Sequence, residues 1–264
     1  KVGLVASIVQ TIAYMGWTGS LLMAFGTVLH SFTNIPFTTG VIIATVITLM
    51  YTYLGGMWAV SYTDAIQMLI LTLGFVIMLP LTISHLGGWS VVVSKVPVGS
   101  FSIAPEANWG YLGYFGIFGM VYYISTWVVQ GMGSLSCQDM LQRALSSNNE
   151  ATSVWASYFG GILYIVIGLI PAFIGIMGFL VFPDLENADE ILPLMIQKMF
   201  SLPLMIIFIV ALIAAIMSSA DSAILAPASI IAENVAPIMN PKITKKGKLK
   251  TAKVSTIIIG SISM

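Results

Sequence analysis

The chain reads as an all-α integral membrane protein, and three observations say so. Hydrophobic residues fill 58% of its 264 positions and charged residues only 8%, where a soluble domain is about 25% charged. Mean hydropathy is +0.98. The apolar residues also fall in runs long enough to cross a ~30 Å hydrocarbon core, which takes about 20 helical residues. A helix is the element that satisfies its own backbone hydrogen bonds in such surroundings.

The runs place spans at 2–29, 37–54, 65–84, 111–133, 154–182 and 204–232, with another beginning near 254. That is about six complete transmembrane helices plus the start of a seventh. Lys1 replaces an initiator Met and Met264 stops inside an apolar run, so both ends are expected to be cuts through a larger protein. With Lys1 inside, strict alternation puts the loops at 55–64, 134–153 and 233–253 inside too. Lys1, Arg143, Lys242, Lys245, Lys246, Lys248, Lys250 and Lys253 then face Lys95 and Lys198 across the bilayer. This asymmetry sets the orientation by the positive-inside rule. Asp184, Glu186, Asp189 and Glu190 fall in outer loops, and Trp89 and Trp109 lie where an outer aromatic belt belongs.

The fourth span needs an interruption. Trp109 to Ser147 is 39 helix-compatible residues, more than ~55 Å at 1.5 Å each and nearly twice the core thickness. The expected break is Gly131-Met132-Gly133-Ser134-Leu135-Ser136, where glycines and serines weaken helix propensity. Broken helices present carbonyls and helix ends to solutes and ions in transporters. The same glycines also suit close helix packing.

The sixth span carries the most pointed chemistry. Ala214-Ala215-Ile216-Met217-Ser218-Ser219-Ala220-Asp221-Ser222 sets a carboxylate and three hydroxyls inside a long apolar run. An Asp at a span centre costs about 2.5–3.5 kcal/mol on insertion scales, so such residues mark cavities and ion pathways. Ala215, Ser218, Ser219 and Ser222 share one helical face by their i, i+3, i+4, i+7 spacing, and Asp221 borders it. A hard cation such as Na⁺ prefers oxygen donors of this kind. A serine in a membrane helix can instead bond the carbonyl four residues back. Asp64 is a further intramembrane carboxylate. At the start of the third span it suits either a helix-cap and dipole role or an ion site.

Several classes fall away. Zero formal net charge argues against a nucleic acid partner, and Cys137 alone builds no disulfide framework. HExxH and GxSxG are absent and the two histidines, His30 and His85, sit near outer helix ends, so the chain is not expected to be an enzyme. A cation channel predicts currents without obligatory solute coupling, and a proton-coupled symporter would titrate Asp221. The adjacent Ser218-Ser219 pair argues for sodium.

The stretch Gly55-Gly56-Met57-Trp58-Ala59-Val60-Ser61-Tyr62-Thr63-Asp64-Ala65-Ile66-Gln67, then Gln142-Arg143-Ala144-Leu145-Ser146-Ser147, then Ala214 through Ser222 resemble, in order, the signatures of the sodium/solute symporter family. Ser61 to Asp64, Ala188-Asp189-Glu190-Ile191-Leu192-Pro193 and Met217 through Ser222 are most similar to its high-affinity choline transporter subgroup. The resemblance implies a LeuT-like fold of two inverted five-helix repeats. Residues 1–264 would form one partial transporter domain holding core helices three to eight and the start of nine. The first core helix would be missing, so the isolated chain should not transport.

The resemblance further implies a sodium site at the Ala215 carbonyl and the Ser218 and Ser219 hydroxyls, completed by the absent helix. An additional sodium site would use Asp64, Ser218, Asp221 and Ser222. Na⁺ would be the coupling ion and a small solute the cargo, with a Cl⁻ requirement and the oligomeric state left open. The expected location is the cell membrane, as a multi-pass protein. Substrate residues would be Trp17, Gly133, Ser134, Cys137 and Gln138. Choline is held by aromatic faces because a quaternary ammonium has no N–H to donate. Trp17 matches one such wall, whereas Cys137 stands where the resembled transporters carry a second tryptophan. Choline or a related organic cation, proline and monocarboxylates are the solutes expected.

Overall fold

In a computed structural model of the chain the described residues are 2–97, 99–103, 105, 110–135 and 137–264, and the side chains at 51, 55–59 and 134 fall outside that description. Lys1, Trp109 and Ser136, each named above, lie outside the described residues. The long helices are α1 (Val2–Thr33), α2 (Phe37–His85), α4 (Gly116–Leu135), α6 (Glu150–Val181) and α8 (Leu202–Ile230). Between them come α3 (Trp89–Lys95), α5 (Gln138–Leu145) and α7 (Ile191–Met199), and α9 (Ala236–Met239) and α10 (Lys245–Ile262) close the order. Five segments are long and apolar enough to cross a membrane, namely Val2–Thr33, Phe37–Leu54, Val60–His85, Glu150–Val181 and Leu202–Met239. The helix at 116–135 and the one at 245–262 correspond to the expected fourth and seventh spans but fall outside those five among the described residues.

Helix α8 is the element around which the others pack. Leu22 and Phe25 of α1 and Val41 and Ala44 of α2 form one buried cluster against Ile213, Ile216 and Met217. Tyr14, one helical stretch earlier on α1, meets Ala223 and Ala226. Helix α1 therefore runs antiparallel to α8. A larger cluster joins Leu71, Phe75 and Met78 of α2, Val92 and Val96, Ile174 and Met177 of α6, Met195 and Ile196 of α7, and Phe208 and Ala211 of α8.

Helix α2 corrects one expectation and bears out its consequence. The polar stretch 55–64 carries helical backbone rather than an irregular loop and belongs to α2. Yet Val41 and Ala44 pack beside Ile213–Met217 and Thr52 bonds Asp221, whereas Asp64 bonds Ser218 and Gly74 faces Phe208. The first half thus runs parallel to α8 and the second antiparallel. Thr52 and Asp64 would be ~18 Å apart on a straight helix, but their partners are three residues apart on α8. The chain must reverse between them.

Close approach is what these helices gain from, since lipid is as apolar as a leucine side chain. A Cβ on Gly26 would lie 2.6 Å from the Val41 side chain, and one on Gly40 only 3.1 Å from the Gly26 Cα. The α1–α2 hairpin depends on both being bare. Gln197 donates to the Ser31 carbonyl at 2.9 Å and Ile191 packs on Gly178, so the α1–α2 and α6–α7 turns share one end. Gln142 bonds Ser229, and Lys248 pairs with Glu233 at 2.5 Å. These contacts set α5 and the start of α10 at the other end, apart from Lys198. The outer stretch after α2 is more than a solvated loop, because Val92 and Val96 are buried in the large cluster and Trp89 packs on Phe101 and Phe173.

The helix break falls later than the glycines suggest. Gly131 and Gly133 remain helical, α4 ends at Leu135, and Cys137 is extended (φ −66°, ψ 131°) before α5 begins at Gln138. In an apolar setting backbone groups hold their helical partners despite weak propensity. At the break, the Cys137 thiol donates to the Gly133 carbonyl at 3.3 Å, meeting one of the acceptors a helix end leaves over.

Candidate functional site

The polar residues of α8 meet both halves of α2. Ser218 does not bond back along its own helix, and its Oγ donates instead to Asp64 Oδ1. Asp64 Oδ2 accepts from Arg143 Nη2 at 2.9 Å, and the same nitrogen donates to Ser222 Oγ at 2.7 Å. Ser222 takes the bland course as well, donating to the Ser218 carbonyl at 3.1 Å. Asp64 is therefore no helix cap, since its two oxygens face α8 and α5 rather than free N–H groups at a helix start.

Asp221 makes no hydrogen bond to that group among the described residues. It is fully buried, Thr52 Oγ1 donates to its Oδ1, and its Oδ2 is without a hydrogen-bond partner among the described residues. Thr48 Oγ1, one turn before Thr52 on α2, is likewise buried and unpartnered. A buried carboxylate oxygen without a donor is costly in a low-dielectric interior, so the group is suited to a cation or a proton. By hydrogen bonding, the expected set of Asp64, Ser218, Asp221 and Ser222 falls into two groups. Asp64, Ser218 and Ser222 gather around a guanidinium, and Asp221 turns to Thr52.

Ala215, Ser218 and Ser219 are half-buried on α8. Ala215 packs against the large apolar cluster, and the Ser219 hydroxyl makes no hydrogen bond among the described residues. A serine hydroxyl that neither bonds back nor meets a neighbour is available as an oxygen donor.

Helix α5 reaches three other elements from eight residues. Asp139 and Arg143 share a face at i, i+4. Tyr14 Oη donates to Asp139 Oδ1 at 2.6 Å, and the Asp139 N–H donates back to that oxygen at 3.2 Å. Gln142 donates to Ser229 on α8. Trp17, one turn beyond Tyr14, has its ring 5.8 Å from the tyrosine and is 42% exposed, leaving an indole face open beside the break. Cys137 and Gln138 are half-buried at the same break and Gly133 is exposed. The Ser134 side chain lies outside the described residues.

Sequence reasoning missed Arg143, Thr52, Tyr14, Asp139, Gln142 and Ser229 as site residues. Arg143 carried a signal, since it is a cation within two turns of a helix break and follows Gln142 in a quoted motif. Thr52 and Ser229 carried none, because a hydroxyl in a span is ordinary until its partner is known.

Five apolar spans, one of them the polar-centred α8, define a multi-pass integral membrane protein. Residues 2–264 match the model of the sodium:solute symporter family, and the chain belongs to that family. It is 26% identical over 232 residues to the human high affinity choline transporter 1, covering 84% of this chain and 39% of that protein. It is 26% identical to the sodium/pantothenate symporter of Haemophilus influenzae (93% of this chain, 52% of that one) and 23% identical to the sodium/proline symporter of Staphylococcus aureus (99% and 49%). The chain thus spans about two fifths to one half of the length of these relatives.

Proposed function

We propose that the chain is part of a sodium-coupled secondary active symporter for a small organic solute, working in the cell membrane by alternating access. The observation that carries this is the polar seam between α2 and α8, where Ser218 meets Asp64 inside an apolar bundle with the unbonded Ser219 next to it on α8. On this reading Ala215, Ser218 and Ser219 contribute one sodium site, and carbonyls of a helix outside this chain complete it. The arrangement is LeuT-like, with core helices three to eight and the start of nine in residues 1–264. Sodium stabilises the solute-competent state because its affinity differs between states, which is all that coupling requires.

For the solute we favour choline or a related organic cation. Support comes from the open indole face of Trp17 beside Tyr14 and from the likeness to choline transporters. Cys137 in place of an aromatic wall, together with likeness to pantothenate and proline symporters, makes those solutes the rivals. The test is uptake of labelled choline, pantothenate and proline by the full-length protein in liposomes, with and without an inward sodium gradient. Sodium-driven accumulation of choline alone is expected. Accumulation of another solute would replace the substrate assignment, and uptake indifferent to sodium but driven by a pH gradient would replace the coupling ion.

Asp64 gives a further expectation. Asp64→Asn in the full-length protein should lower the number of sodium ions moved per solute, read from the reversal potential of uptake, if Asp64 belongs to an additional ion site. An unchanged ratio would return Asp64 to a structural role.

A further inference from the structure

The seam contains a cation that belongs to the protein itself. Arg143 Nη2 lies 2.9 Å from Asp64 Oδ2 and 2.7 Å from Ser222 Oγ, while Asp64 Oδ1 accepts from Ser218. These are the oxygens of Asp64, Ser218 and Ser222 that a sodium ion at this position would need. A sodium ion and a guanidinium cannot both touch them, because the two compete for the same lone pairs and repel each other. We propose that Arg143 is a tethered counter-cation: it fills the Asp64–Ser218–Ser222 group when sodium is absent, and sodium entering there displaces it.

The consequence for movement follows from where Arg143 is anchored. It sits on α5, a separate short helix that begins after the extended Cys137, so among the described residues the guanidinium is one of three side-chain ties holding that helix to other elements. The others are Asp139 to Tyr14 on α1 and Gln142 to Ser229 on α8. Arg143 and Asp64 keep 40% and 22% side-chain exposure, so the pair is not sealed within the described helices. Loss of the central tie frees α5 from α2 and from the middle of α8. Occupancy by an ion is thereby converted into release of a helix at one end of the bundle, which is a device of a few competing contacts between two states.

This inference rests on the sodium-symport reading, and its test separates the two. Purified full-length protein is measured for equilibrium binding of radioactive sodium and for the rate at which N-ethylmaleimide labels Cys137, followed by mass spectrometry of that peptide. Cys137 is half-buried at the N-cap of α5 and reports its position. In the native sequence, sodium should accelerate labelling. In Arg143→Gln, labelling should be fast without sodium and the half-saturating sodium concentration should fall. The drop is about tenfold for a tether that holds the site about nine-tenths of the time.

A merely structural arginine would give the opposite sign, with weaker sodium binding on its removal. Half-saturation that rises or stays put in Arg143→Gln, or Cys137 labelling indifferent to sodium in the native sequence, would overturn the tether while sodium-driven uptake kept the symport reading intact. Absence of both sodium binding and sodium-driven uptake in the native protein would instead defeat the symport reading. If Arg143→Gln does not fold, Arg143→Lys decides, since its shorter, compact cation competes less well. A smaller fall in half-saturation is then expected, and a rise refutes the proposal.

Discussion

Replacing Ser219 by alanine in the full-length protein is expected to raise the sodium concentration for half-maximal uptake by about tenfold. Tenfold corresponds to ~1.4 kcal/mol, close to the lower end of the range for a hydrogen-bonding partner of a charged group. Ser219 is the informative position because its hydroxyl makes no protein hydrogen bond among the described residues. Its removal therefore leaves no neighbour unpaired, and expression and thermal stability should stay as they were. Ser218→Ala would be harder to read, since it also strips a donor from Asp64. A sodium dependence unchanged in Ser219→Ala would remove the Ser219 hydroxyl from the ion site and leave the Asp64 group, with Ser218 and Ser222, as the remaining candidate.

Phe208→Ala should be the most destabilising single truncation, at ~3–5 kcal/mol. The ring is 2% exposed, stands edge-on to Phe75 at 5.3 Å and to Phe200 at 5.5 Å, and covers Gly74 so closely that a Cβ there would lie 2.0 Å from it. In a bilayer the loss comes from packing more than from transfer out of water, because the alternative surroundings are also apolar. The check is the midpoint of thermal unfolding in detergent, followed by size-exclusion chromatography. Gly74→Ala should lower that midpoint too, because its methyl group meets the Phe208 ring. A midpoint unmoved in both variants would show that α2 and α8 are not packed through this contact.

The chemistry of α8 was legible from sequence because hydrophobic runs set a background against which Ser218, Ser219, Asp221 and Ser222 stand out. Their shared face follows from helical period alone. Asp64 was visible as a carboxylate in a span, but its role was not. Capping and ion binding differ only in which partner lies opposite, and Arg143 sits 79 residues further along the chain. The break before α5 was legible in kind and misplaced by a few residues. Glycine propensity is a weak term where each unpaired backbone group has no water to turn to.

The sequence by itself determined that this is a membrane protein, roughly where its helices run, which end carries the positive charge and which helix carries the run of hydroxyls and a carboxylate. Those properties are local: hydropathy, period and charge asymmetry are sums over neighbours in the chain. Only the tertiary structure decided that α2 reverses to lay both halves on α8, that Asp221 belongs with Thr52 and that Arg143 occupies the Asp64 group. Each is a pairing between residues scores of positions apart, and short polar side chains in a span carry no record of their partners until the helices pack.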